Sequence, residues 1–163
     1  MYNLYDSTEK AFPNTKLRQH ATDTIEIKKI HFMPFVGTHT FFVKGEAFNT
    51  ENNHEYNPII LFKKVIYHTN DKENLTKIHM DNKDYFFENI YDNDVLVRCQ
   101  CKDFFWRGNY PDFLDHSLWG KVRKKYESQG GLPANPTNAP LICKHIIKLA
   151  KVLGNSGLFN IRN

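Results

Sequence analysis

No stretch of this sequence approaches the ~18 consecutive apolar residues that a membrane-crossing helix requires, so no membrane-spanning segment is expected. The first residues, Met1-Tyr2-Asn3-Leu4-Tyr5-Asp6, have neither a basic start nor an apolar centre, and no secretory leader is expected there. Short-period repeats and heptads are missing, which excludes collagen, coiled-coil and repeat-array architectures. The motifs that announce common enzymes are missing too. There is no H-E-x-x-H, no G-x-S-x-G, no phosphate-binding loop, and no H-x-E with P-C-x-x-C, so enzymatic activity is not expected. Arginine is scarce, at 5 against 17 lysines, while asparagine occurs 17 times. Lys, Asn, Tyr, Phe and Ile in place of Arg, Ala and Gly is the bias of an AT-rich coding sequence, which speaks to source rather than activity. Cysteine is scarcer still. The three residues Cys99, Cys101 and Cys143 make an odd count in the last part of the chain. A disulfide scaffold wants an even number in a small secreted protein, so three thiols point to a reducing compartment and to metal or chance rather than to bridges.

Aromatic residues, by contrast, are plentiful: 13 Phe, 8 Tyr and 2 Trp among 163 residues. Disordered chains have few aromatics and a strong net charge; this one is 40% hydrophobic with a formal charge of +4, and a folded domain of ordinary size is expected. The mild basicity falls short of a dedicated nucleic-acid binder. Only the run Lys121-Val122-Arg123-Lys124-Lys125 is locally dense, and it reads first as a solvated face and second as a phosphate or partner patch.

Along the chain, residues 1–23 are polar and read as an N-terminal arm. Residues 24–33 and 38–48 read as strands separated by punctuation from Pro34 to Gly37. Asn49 to Glu55 reads as a loop, and residues 56–68 as a third strand bent at Lys63-Lys64. Together these predict an antiparallel β-rich part over 24–94, with a mixed, weak segment over 69–93. Residues 95–101 predict a strand in which Val95, Val97, Cys99 and Cys101 share one face. Residues 102–141 have no clean period, and a stretch of that length must be functional or tethered. Residues 142–154 carry the helical spacing at 142, 146, 149, 150 and 153, with Lys144, Lys148 and Lys151 on the wet side, Pro140 ahead and Gly154 as the stop. Residues 155–163 read as a C-terminal tail. The fold class predicted is α+β, with a C-terminal metal-binding module over 95–154 closed by one α-helix.

The chemistry lies in a pair of pairs. Cys99 and Cys101 sit two apart on a strand, and Cys143 and His145 two apart at a helix start, with 41 residues between the pairs. Three sulfurs and one imidazole complete a closed tetrahedral zinc shell. Alternate strand residues lie ~6–7 Å apart on one face, within reach of one ion. A helix N-terminus offers free N–H groups and a positive dipole end, both favouring thiolate. Each cysteine taken singly reads first as a small buried hydrophobe, and His145 singly as a surface or hydrogen-bonded histidine. It is the use of every cysteine in the chain that points to metal, with zinc needed for the C-terminal half to fold.

The C-x-C…C-x-H pattern resembles the signature of SWIM-type zinc fingers. Cys99-Gln100-Cys101-Lys102-Asp103-Phe104 is similar to their C-x-C-x-x-F, and Cys143-Lys144-His145 followed by Ile146 to Ala150 is similar to their C-x-H and apolar helix. The gap is longer than in most members. A narrower resemblance fills it: small proteins of tailed bacteriophages look similar across Val95–Leu153. They share R-C-x-C-x-D-F (Arg98 to Phe104), an aromatic run (Phe105 to Tyr110), G-L-P-x-N-P-T-N-x-P (Gly131 to Pro140) and C-K-H-I (Cys143 to Ile146). The resemblance implies a structural zinc at Cys99, Cys101, Cys143 and His145 and a structural role in the tail, neck or baseplate of a virion. The partners would be other virion proteins in a multi-subunit assembly formed in the host cytoplasm. Phe104, Phe105, Trp106, Tyr110, Phe113 and Trp119 would serve an interface, while any one of them taken singly reads first as local core around the metal. The SWIM resemblance alone implies instead a nucleic-acid-binding accessory protein, with Arg98, Arg107, Arg123, Lys124 and Lys125 on phosphate and Trp106 or Tyr110 stacking on bases.

Overall fold

The computed structural model describes residues 21–125, 127, 130–131 and 135–158. The expected arms, 1–23 and 155–163, therefore fall largely outside the described residues. Of the first, a 3-10 turn at Ala21–Thr24 is seen, and of the second, the stretch up to Leu158.

The main sheet is built from β1 (Ile25–Phe35), β2 (Thr40–Asn49), β3 (His54–Tyr56), β4 (Ile59–Phe62) and β8 (Val95–Arg98), in the order β1-β2-β4-β8, with β3 also on β2. All these pairings are antiparallel. The partners Ala47↔Tyr56 and Lys44↔Ile59 lie in one register, so β3 and β4 are a single extended strand interrupted at Asn57-Pro58. Pro58 still accepts the Gly45 N–H at 2.9 Å but has no N–H to return, and the ladder breaks without slipping. Pro34, expected to end the first strand, lies inside β1 opposite Phe41. Proline is tolerated on an outer strand, where a missing N–H costs least. The turn itself comes at Val36–Thr38 and closes on His39 at φ 52°.

The expected bend at Lys63-Lys64 is real. Lys64 has φ 54°, and beyond it the chain enters a second antiparallel sheet, ordered β5 (Tyr67–His68), β7 (Lys83–Phe87), β6 (Thr76–Met80). The segment read as mixed thus holds a hairpin. Its turn residues Asp81 and Asn82 both take positive φ, the requirement of a tight two-residue hairpin turn.

Alternation puts one face of the main sheet inward. Phe41, Val43 and Ala47 on β2, Ile60 and Phe62 on β4, and Val95 and Val97 on β8 are all buried. The second sheet is joined to this face by Phe87, whose ring lies 5.0 Å from that of Phe41, and by the Tyr67 hydroxyl donating to the Thr40 carbonyl at 2.7 Å.

The C-terminal helix, α2 (Lys144–Asn155), packs on β1 and β2 and buries Ile146, Ile147, Leu149 and Leu153. It starts two residues later than predicted, and Gly154 does not stop it. The left-handed conformation falls at Gly157, φ 77°, after the Ser156 N–H has bonded back to Val152 and Leu153. Gly45 lies beneath this helix. A Cβ there would come within 3.0 Å of Leu149 Cδ1, so glycine permits the close seat.

The stretch expected to lack regular structure opens with a π-turn, Phe104–Gly108, that runs on into a short helix, α1 (Asn109–Leu114). Beyond it, Leu118 bridges Val97 in parallel, with Val97 N–H to Ser117 O at 2.8 Å and Trp119 N–H to Val97 O at 3.1 Å. The 117–119 segment thereby lines the outer side of β8. The architecture is α+β, and one hydrophobic core runs from Phe41 through Val97 to Leu153.

Candidate metal centre

The strand ladder of β8 ends at Arg98, short of the predicted 101, but the in-out alternation continues. Cys99 is buried, Gln100 exposed and Cys101 buried. Both thiols thus keep the inward direction of Val95 and Val97, which carries them to the start of α2. Cys143 is the extended residue that precedes α2, and His145 sits in its first turn. Cys99 and Cys101 are 4% exposed, Cys143 0% and His145 2%.

One donor atom from each of the four residues lies within 4.8 Å of the other three. His145 Nδ1 is 3.8 Å from Cys99 Sγ and 3.9 Å from Cys143 Sγ. A tetrahedral shell with metal–sulfur bonds of ~2.3 Å and metal–nitrogen bonds of ~2.0 Å has edges of ~3.6–3.8 Å, close to these separations. Four soft or borderline donors at such spacing can bind a metal ion. Ligation through Nδ1 would leave the proton on His145 Nε2, which is buried without a hydrogen-bond partner, with the Tyr56 ring over the imidazole at 4.3 Å.

The thiols perturb one another. Burial pushes Cys99 and Cys143 well above the ordinary thiol range. Cys101 is pulled far below it, first by hydrogen bonds from Cys143 and Cys99, with His145 and the Phe104 N–H adding. That N–H reaches Cys101 Sγ at 3.4 Å, and the Cys101 carbonyl accepts from Phe105 at 2.9 Å, so the C-x-x-F turn cradles the sulfur. A bound cation would let all three sulfurs carry charge together.

Three buried polar side chains tie the long connection to this centre. Asp112 Oδ1 accepts the Leu141 N–H at 2.8 Å, two residues before Cys143, while the Asp112 carbonyl accepts from Ser117 and Leu118. Asn109 Oδ1 accepts the Arg123 N–H at 2.7 Å. Asn135 donates to the carbonyls of Arg107 (3.0 Å) and Ala139 (2.8 Å), and its Oδ1 accepts from Ala139 and Thr137. Sequence reading did not single these out. The signal available was the density of Asn and Asp in a segment without period, where such side chains substitute for the missing backbone ladder.

The residues expected to touch phosphate or a partner have mixed placements. Arg98 lies on the face opposite the ligands, half-buried and donating to the carbonyls of Trp119 (2.8 Å) and Lys121 (3.0 Å). Burial lowers its pKa, with Arg123 nearby adding. Arg107 bridges Asp103 one turn back at 3.3 Å. Arg123 covers the Phe105 ring at 3.9 Å, and Lys125 lies 5.9 Å from the Tyr110 ring. Lys124 is exposed. Among the aromatics, Phe104 is a core residue rather than a surface one, and Trp119 packs on Phe42 at 5.4 Å. Trp106 and Phe113 are exposed.

No family model matches the chain, and no curated protein and no solved structure matches it. The fold and the cluster therefore define it as an α+β protein with a buried Cys3His site able to bind a metal ion. No helix among the described residues is long and apolar enough to cross a membrane.

Proposed function

We propose that this protein is a zinc-stabilised, non-catalytic component of a larger assembly, and that the assembly is a tailed-phage virion. The observation that carries the first half is closure. The Cys3His donors are all buried, four in number, and packed in the main core beside Val97 and Ile146, a composition that zinc favours and that leaves no coordination position for substrate. The site is thus suited to holding structure rather than to chemistry. The second half rests on the C-x-C-x-D-F, G-L-P-x-N-P-T-N-x-P and C-K-H-I segments. The geometry gives each of these a physical reason: Asn135 pins the second of them, and the first and last meet at the cluster.

Elemental analysis of the purified chain by inductively coupled plasma mass spectrometry should find one zinc per molecule, and Cys99→Ser should abolish it. Full zinc occupancy in that variant would defeat the four-ligand shell. For the virion role, mass spectrometry of purified particles from the source phage should find the chain in stoichiometric amount. Its presence in infected cells but not in particles would reject that role and turn attention to the nucleic-acid reading.

A further inference from the structure

The π-turn and α1 bury only one side. Phe104, Gly108, Asn109 and Asp112 face the interior, while Trp106, Phe113 and Leu114 are 48%, 45% and 49% exposed. Tyr110 stands between them, its ring 6.4 Å from that of Phe113. The segment after Gly120 runs alongside, fixed by the Asn109–Arg123 hydrogen bond, and adds Val122, 40% exposed. Four large apolar side chains on two adjacent elements, over a helix of little more than three turns, are more than scattered surface hydrophobes. The same segment carries the exposed Lys121, Arg123, Lys124 and Lys125, with Arg123 against the Phe105 ring and Lys125 near that of Tyr110. No carboxylate bridge to any of these four occurs among the described residues.

We propose that this face docks a protein segment carrying aliphatic or aromatic anchors beside aspartates or glutamates. Charge complementarity sets the sign: cations beside an apolar centre accept anionic flanks and apolar anchors. The side chains favour protein over nucleic acid. Leu114 and Val122 add apolar area but cannot stack on bases. The two rings best placed beside the cations, Phe105 and Tyr110, already have Arg123 and Lys125 against them, which removes a stacking face from each. The exposed Trp106 and Phe113 are the type of anchor that dominates protein interfaces. The proposal rests on the reading of the protein as an assembly component and names the surface through which it assembles.

The test is a selection with the zinc-loaded full chain against a displayed random 12-residue peptide library, followed by binding of the enriched peptides and of a dT20 oligonucleotide at 150 mM salt. Enriched peptides should combine Leu, Phe or Trp with an excess of Asp and Glu. Their affinity should fall at least tenfold in Phe113→Ser/Leu114→Ser and in Arg123→Glu/Lys125→Glu. Both variants alter exposed side chains, and unchanged zinc content and circular dichroism establish that they fold. No enrichment, enrichment without the apolar-acidic bias, or binding that survives both variants overturns the proposal. So does dT20 binding that the same variants abolish, which would give the face to single-stranded nucleic acid. A chain that holds one zinc yet selects no peptide keeps its metal centre and loses only this docking face.

Discussion

Removing the metal is the perturbation with the largest worked consequence. Structural zinc sites contribute ~10–16 kcal/mol of folding free energy at neutral pH. Native domains are stable by only ~5–15 kcal/mol. The ion at Cys99, Cys101, Cys143 and His145 would therefore supply as much as the whole margin. The sequence-based expectation confined the damage to the C-terminal half. The structure argues for a wider effect, because β8 is a strand of the main sheet and α2 is the layer that covers β1 and β2. Cutting the link between them opens the face lined by Val43, Ile60 and Val97. Even if only ~5 kcal/mol were lost, at ~2–4 °C per kcal/mol for a chain of this size the melting midpoint would fall by ~10–20 °C. The assay is thermal unfolding of the loaded and chelator-stripped protein, followed by circular dichroism and by tryptophan fluorescence. Trp119, packed on Phe42 of β2, reports the sheet, and Trp106 reports the π-turn. Both signals should be lost together and return on zinc addition. A stripped protein melting within ~5 °C of the loaded one, or a Trp119 signal unaffected while Trp106 changes, would refute the reasoning.

Other consequences follow from single residues. Burial raises the Asp112 carboxyl well above its ordinary range. A raised folded-state value means that the native state holds the proton more tightly, so stability from this group falls as pH climbs from ~4 through that raised value. Asp112→Asn, which keeps an acceptor for Leu141, should flatten the pH dependence of urea unfolding with zinc in excess; an identical slope would exclude Asp112 as its source. Gly45→Ala should destabilise by ~1–3 kcal/mol through the contact with Leu149, measurable as a lower urea midpoint. Arg98→Ala should cost ~1.5–3 kcal/mol, as two carbonyls lose a charged donor, and should leave any dT20 affinity unchanged. Lys144→Ala should leave zinc stoichiometry at one, since its side chain lies between ligands and outside the shell.

Period and punctuation made much of this fold legible. β1, β2, β4 and α2 follow from β-branched runs and helical spacing, and the four ligands from the pairing of two short motifs. The misses share a cause. The hairpin over 76–87 hid because its strands are amphipathic only in part, with His79 and Lys83 exposed, and its turn is Asp81-Asn82 rather than Asn-Gly. By identity alone Pro34 and Gly154 read as stops, whereas an outer strand and a still-packed helix turn accept them. Sequence does not separate Phe104 from its aromatic neighbours as core or surface; only the turn that brings its N–H to Cys101 sends the ring inward. The buried trio Asn109, Asp112 and Asn135 depends on contacts ~14–29 residues apart in sequence, which no local pattern encodes.

The π-turn at Phe104–Gly108 works as a phase shifter. The extra residue it holds sets everything downstream back by ~100° relative to an unbroken α-helix of the same sequence. With that offset, Phe104 can reach the core beside Cys101 while Asn109 and Asp112, on the next turn, aim at Arg123 and Leu141. Winding these same residues as an unbroken α-helix would leave every amino acid of the sequence in place. It would also point both staples away from their targets and release the strand of chain that delivers Cys143 to the metal. The spacing between the two halves of the ligand set is thus measured in rotation rather than in length, and insertions beyond Gly120 should be borne far more easily than one residue gained before Asn109.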